Sequence, residues 1–220
     1  MTYELKQLLE TLKEVREHSL KAGSNLILPA YDLYLKWFYW CASFAEVFDD
    51  TEWGSYTTGF YLESLRITEA SLVLSIHGEY KPAIQVLRDW LEGTVSGYYF
   101  DLYPEEGKRW EEGGQVDFGK SSKGIKKKNA LDEALMTKIG RLWGDLSGYV
   151  HQKEAFGDFV SSGGQPLATY NEESLRAWEA FFRRTFGICS AVLVSKYPVL
   201  LVTEKAEMIL GYEPAGNLSP

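Results

Sequence analysis

Two short stretches hold the side chains best placed to do chemistry. In "LSGYVHQ", residues 146–152, Ser147 and His151 are four positions apart and stack on one face of a helix. In "LRDWLEG", residues 87–93, Arg88 and Glu92 have the same spacing. A helix ending near His151 favours the protonated imidazole through its dipole. A protonated base cannot accept a hydroxyl proton, so Ser147 orients the ring rather than acting as a nucleophile. Tyr149 points elsewhere, and Asp145 lies well round the helix from His151. In the other stretch the arginine precedes the glutamate, the weaker order for an isolated helical pair. Its neighbours Val86, Leu87 and Leu91 make that face at least partly buried. The pair therefore either orders packed helices or forms a charged cluster lining a cavity.

Other chemistries lack their residues. Cys41, Cys189, His18, His77 and His151 show no metal-ligand spacing. Phosphate-cradling, dinucleotide-binding and nucleophile-elbow motifs are missing, as are the Glu-x-x-His helices of di-iron bundles. Neither metal nor cofactor is expected. The net charge of −8 repels nucleic acid on average. One strip runs against it: Lys120, Lys123, Lys126, Lys127 and Lys128 fall within nine residues. They are either the solvated charges of a mobile loop or a contact strip for phosphate or RNA.

The elements that must position these groups are helical. Leu5, Leu8, Leu9, Leu12 and Val15 predict a helix over about 3–21, with Gly23 as its terminator. The segment "LPAYDLYLKWFYWCASFAEVF" predicts a second helix, with Pro29 near its start. Being apolar on nearly every side, it belongs in the centre of a bundle or in a subunit interface. A third helix covers about 58–77, with Phe60, Leu62, Leu65, Ile67, Leu72, Val73 and Ile76 as its apolar positions. A tight turn at Gly78 makes the fourth, about 82–103, its antiparallel neighbour. Periodicity vanishes over 104–128, which reads as a functional or disordered loop. A helix capped by Asn129 then runs to His151. After a second loop, one capped by Asn171 runs to a break at Pro198, and a short final helix ends near Leu210.

The sum is an all-α, single-domain bundle of about six to eight helices over 1–212, with loops near 102–128 and 152–171 and a flexible tail at 213–220. The amphipathic N-terminus lacks the apolar run of a signal peptide, and no stretch approaches membrane-spanning length. A cytoplasmic location with buried free thiols is expected. Aromatic residues make up 15% of the chain, enough to place some rings at interfaces.

The run "ASLVLSIHGEYKPAIQVLRDWLEGTVSGYYF", followed by "LSGYVH", resembles HEPN-like all-helical bacterial and archaeal proteins. The likeness covers about 65–152. It implies an antiparallel helical core and a homodimer. In ribonuclease members of that class an arginine precedes, by four to six residues, a histidine near a helix end. Two protomers bring these together to promote attack of an RNA 2′-hydroxyl on the adjacent phosphate, without metal. His151 matches the histidine. Ser147, Leu146 and Asp145 occupy the positions four to six before it, Gly144 the one before those, and Arg141 is ten residues away; Arg88, from the neighbouring helix, is the substitute charge. Two functions follow as expectations. One is a non-catalytic homodimeric or partner-binding module in which Arg88, Glu92, Ser147 and His151 fix helix packing. The other is a metal-independent ribonuclease or nucleotide-binding enzyme using His151 and Arg88.

Overall fold

The computed structural model describes residues 3–47, 54–151 and 170–202. Among them are eight α-helices and no strand. The expected loop at 152–171, the helix end near Leu210 and the tail at 213–220 fall almost wholly outside the described residues.

Helices α1 (Tyr3–Ala22) and α2 (Ser24–Val47) meet at Gly23. That glycine is buried, and an added Cβ would overlap Leu175 and the Ser19 carbonyl. Close approach, rather than a left-handed backbone, sets the break. The amides of Leu26 and Ile27 already bond to the Gly23 carbonyl, so α2 starts earlier than Pro29 suggests. Pro29 lies inside the helix and removes one ladder bond. Ile27, Ala30, Leu33, Trp37, Trp40 and Cys41 of α2 are buried.

Helices α3 (Tyr56–Ile76) and α4 (Tyr80–Leu102) form the expected antiparallel pair. Gly78, at φ 78°, makes the turn. The inward face of α3 differs from the expected one. Thr57, Thr58, Ser64, Thr68, Ser71 and Ser75 are buried, while Leu62 and Val73 are exposed. Small side chains let two helices approach closely, and each hydroxyl can return its hydrogen bond to a nearby carbonyl. Thr68 Oγ1 donates to the Ser64 carbonyl, Ser75 Oγ to that of Leu72, and Ser71 Oγ crosses to that of Ala83 on α4.

The region expected to be a loop folds into two short helices, α5 (Pro104–Glu111) and α6 (Phe118–Lys127). Local chemistry starts both: Pro104 occupies the first turn of α5, and Asp117 caps α6 by accepting from the Lys120 amide. Their glycines permit docking rather than breaking the helices. An added Cβ at Gly107 would overlap the Tyr56 ring, and one at Gly124 the Tyr99 ring. Asn129, at φ 48°, closes α6 in the left-handed region. It is therefore not the cap of the next helix, α7 (Glu133–His151). Asp132 has that role, with Oδ1 accepting from the Ala134 amide.

Helix α8 (Glu172–Lys196) has the expected cap: Asn171 accepts from the Ser174 amide. A 3₁₀ turn, Pro198–Val202, follows it. One continuous core joins Leu87, Trp90, Leu91 and Val95 of α4 to Ile139, Leu142 and Leu146 of α7 and Trp178, Phe182 and Phe186 of α8. Cys41 and Cys189 are free and buried within it, and burial pushes both thiols upward. Among the described residues no helix is long and apolar enough to cross a membrane.

Candidate functional site

Helix α7 packs along α4, and their shared face collects the predicted residues. Arg88 Nε donates to Glu92 Oε1 at 2.7 Å. The same oxygen accepts from Trp143 Nε1 at 2.7 Å. The guanidinium carbon of Arg88 stands 5.4 Å from the Trp143 ring centroid, a cation–π distance. Phe118 of α6 stacks on that indole, with centroids 4.9 Å apart and planes 2° from parallel. Arg88 Nη1 reaches His151 Nε2 at 3.4 Å, donating when the ring carries its proton on Nδ1. The Arg88 and Glu92 side chains are 20% and 30% exposed, whereas His151 is exposed.

Three of the four predicted residues thus converge. Ser147 does not join them: its Oγ is buried without a hydrogen-bond partner among the described residues. Trp143 takes its place. It sits four residues before Ser147 and eight before His151, on the same face, and a part-buried indole N–H needs an acceptor. That spacing was the available signal. Asp145 pairs instead with Arg184 at 2.6 Å, and Tyr149 packs edge-on against Phe181. Arg141 is exposed.

Comparison of the chain with protein-family models, curated proteins and solved structures yields no match. The HEPN-like resemblance rests on the residues quoted above.

The lysine strip lies mainly on α6. Lys120 donates to Glu106 Oε2 at 2.7 Å, and this bond lowers the Glu106 carboxyl from its usual range. Lys128 stands over the Tyr103 ring at 5.4 Å. Lys123, Lys126 and Lys127 are exposed. Lys126 and Lys127 occupy the last turn of α6, where cations offset the helix dipole.

A second polar assembly gave no sequence signal. Asp101, near the end of α4, caps the start of α3. Its carboxylate accepts from the Tyr56 amide at 2.7 Å and from the Thr57 amide at 3.1 Å. Lys196 of α8 forms an ion pair with it and also donates to Thr57 Oγ1. Burial drives the Lys196 ammonium down to about 8. Three helices meet in this brace.

The Arg88 cluster predicts distinct results for its members. Glu92→Gln should lower stability by about 1–2 kcal/mol, because one carboxylate oxygen serves two donors. His151→Ala should stay within about 0.5 kcal/mol of the parent, as an exposed side chain does. Urea melts of both variants check this. Equal losses would place His151 in the packed part of the cluster.

Proposed function

We propose that the chain is a non-catalytic helical module that pairs with a second copy through the outer face of α2. The observation carrying this reading is an apolar stripe left in solvent. Leu28, Tyr31, Phe38 and Tyr39 are 62%, 44%, 45% and 44% exposed. With half-buried Leu35 and exposed Ala42, positions 28, 31, 35, 38 and 42 repeat in alternating steps of three and four. That is the spacing of a helix–helix seam. An antiparallel pairing centred on Leu35 sets Leu28 of one copy against Ala42 of the other, large against small. Asp32 and Lys36 pair within the helix at 2.9 Å, so no lone charge faces the seam. The internal pairing of Arg88, Glu92 and Trp143 supports a packing role for that cluster.

Light scattering on a sizing column tests the proposal. The parent is expected at twice its 25.0 kDa chain mass, and Tyr31→Glu with Phe38→Glu at the chain mass with unchanged helicity. A parent that stays at the chain mass at its highest soluble concentration would overturn it.

One observation favours a second reading, metal-independent RNA cleavage: the approach of Arg88 to His151. It puts a positive charge beside the histidine from α4, where the resemblance would look for one on α7. Labelled RNA is incubated without metal with the parent, His151→Ala and Arg88→Ala. Cleavage by the parent alone supports this reading; equal cleavage by all three, or none, removes it for those RNAs.

A further inference from the structure

An open groove of about 420 Å³ lies where α3 begins and α5 ends. Its wall holds the rings of Tyr56, Phe60 and Trp110, the carboxylates of Glu63 and Glu111, and Gly59. Among the described residues no lysine or arginine lines it, and exposed Arg66 pairs with Glu63 at 3.8 Å. The rings have fixed places. Buried Phe100 forms their floor, 5.4 Å from Tyr56, 6.2 Å from Phe60 and 5.6 Å from Trp110 between centroids. Glycines hold two of them from behind: an added Cβ would press on the Phe60 ring at 3.1 Å from Gly93 and at 3.0 Å from Gly97, and would overlap Tyr56 from Gly107. Phe60 and Trp110 pack on each other, with centroids 5.2 Å apart and planes tilted by 47°, so a ligand meets their outer surfaces rather than a gap between them. Trp110 keeps 42% of its surface in water, a costly exposure for an indole.

The charges decide the ligand class. A helix N-terminus ordinarily attracts anions, but the first amides of α3 are already used: Asp101 takes those of Tyr56 and Thr57, and Ser55 Oγ that of Thr58. Glu111 stands in the last turn of α5, where the dipole disfavours a carboxylate. A bound cation relieves that cost, and ring faces attract cations, most strongly when the cation is poorly hydrated.

We infer that this groove binds a methylated or quaternary ammonium group against the solvent-facing surfaces of Tyr56, Phe60 and Trp110, with Glu63 and Glu111 supplying the counter-charge. The apolar surface of such a group suits the rings, and its charge suits the two carboxylates. The same group occurs in choline-type headgroups and in methylated lysine. Gly59 offers a clean obstruction. An added Cβ there meets nothing within 4 Å, so Gly59→Leu fills open space while leaving rings and charges in place.

The test is a heteronuclear NMR titration of the full chain at constant ionic strength, following the Trp110 indole and the Gly59 amide. Choline and trimethyllysine amide are the two probes, and dimethylbutanol is the neutral counterpart of choline. At least one cation should shift these signals saturably, and the tighter of the two identifies the source. Dimethylbutanol should bind about tenfold or more weakly. Trp110→Ala should weaken binding by a similar factor, and Gly59→Leu should abolish it while melting no lower than the parent. Saturation by neither cation, equal binding of dimethylbutanol, or undiminished binding by Gly59→Leu would overturn the proposal.

Discussion

Asp101→Ala is expected to cost about 3 kcal/mol, which for a chain of this size lowers the melting temperature by about 6–12 °C. The carboxylate serves two purposes at once. It accepts the Tyr56 and Thr57 amides, which have no partner within their own helix. It also balances Lys196, whose side chain is only 20% exposed. Removal strips the cap and leaves a buried ammonium without its counter-ion. Asp101→Asn should fall between parent and alanine variant, since the amide oxygen can still cap α3. Lys196→Met in the Asp101→Ala background should return part of the loss, because the unpaired charge then disappears. If the double variant is no more stable than Asp101→Ala, Lys196 is not what makes the loss large.

The same brace has a pH signature. Lys196 titrates near 8 in the folded chain, against an ordinary value of 10.5. Between these values the unfolded chain holds the proton that the folded chain has released. Unfolding there takes up a proton, so the Lys196 contribution rises with pH across that window and is flat below it. In Asp101→Ala the window should extend to lower pH, because burial then acts without the balancing carboxylate. Stability curves of the parent and Lys196→Met between pH 7 and 10.5 isolate the contribution. A parent curve parallel to that of Lys196→Met would refute it.

That brace also marks a limit of reading function or fold from the chain alone. Asp101 and Lys196 are 95 residues apart, and neither stands in a spacing that announces the other. Arg88 and Glu92 were legible because both lie on one helix, four residues apart. Where apolar spacing and burial agree, as on α4, α7 and α8, the helices were legible too. On α3 they disagree. Its apolar residues face partly outward, and its hydroxyl-bearing residues face inward. Amphipathic reasoning assumes that burial follows hydrophobicity, but close helix packing selects for size, and a self-satisfied hydroxyl is small enough. Helices α5 and α6 were illegible for a related reason. Glycine lowers helix propensity, so Gly107 and Gly124 read as loop residues, whereas each makes room for a tyrosine ring. Trp143 shows the reverse. Its place beside Arg88 and Glu92 could have been read from its spacing to His151, had the indole N–H been counted among the polar groups.

Two neighbours on α2 should give opposite results, and together they test both the core and the proposed seam. Trp37→Ala is expected to cost about 3–5 kcal/mol, the range for a fully buried large ring. Trp37 is 0% exposed. Its ring centroid lies 4.7 Å from that of Tyr61, 4.8 Å from Trp90 and 5.7 Å from Phe186, and its Nε1 donates to Ser64 Oγ at 2.7 Å. A smaller side chain leaves a cavity where α2 meets α3, α4 and α8. Trp37→Phe should recover part of the loss by refilling some of that volume. Phe38, one residue on, is 45% exposed, so Phe38→Ala in dilute solution should stay within about 0.5 kcal/mol of the parent. At high concentration the two proteins should separate. A self-pairing parent gains stability with concentration, because association draws on the folded state alone; Phe38→Ala should lose most of that gain, while Trp37→Ala should keep its concentration dependence on a lowered baseline. Urea melts over a wide concentration range measure both quantities. A Phe38→Ala loss as large as that of Trp37→Ala would mean the ring is packed within the monomer, and a parent without concentration dependence would mean that the stripe on α2 does not meet a second copy.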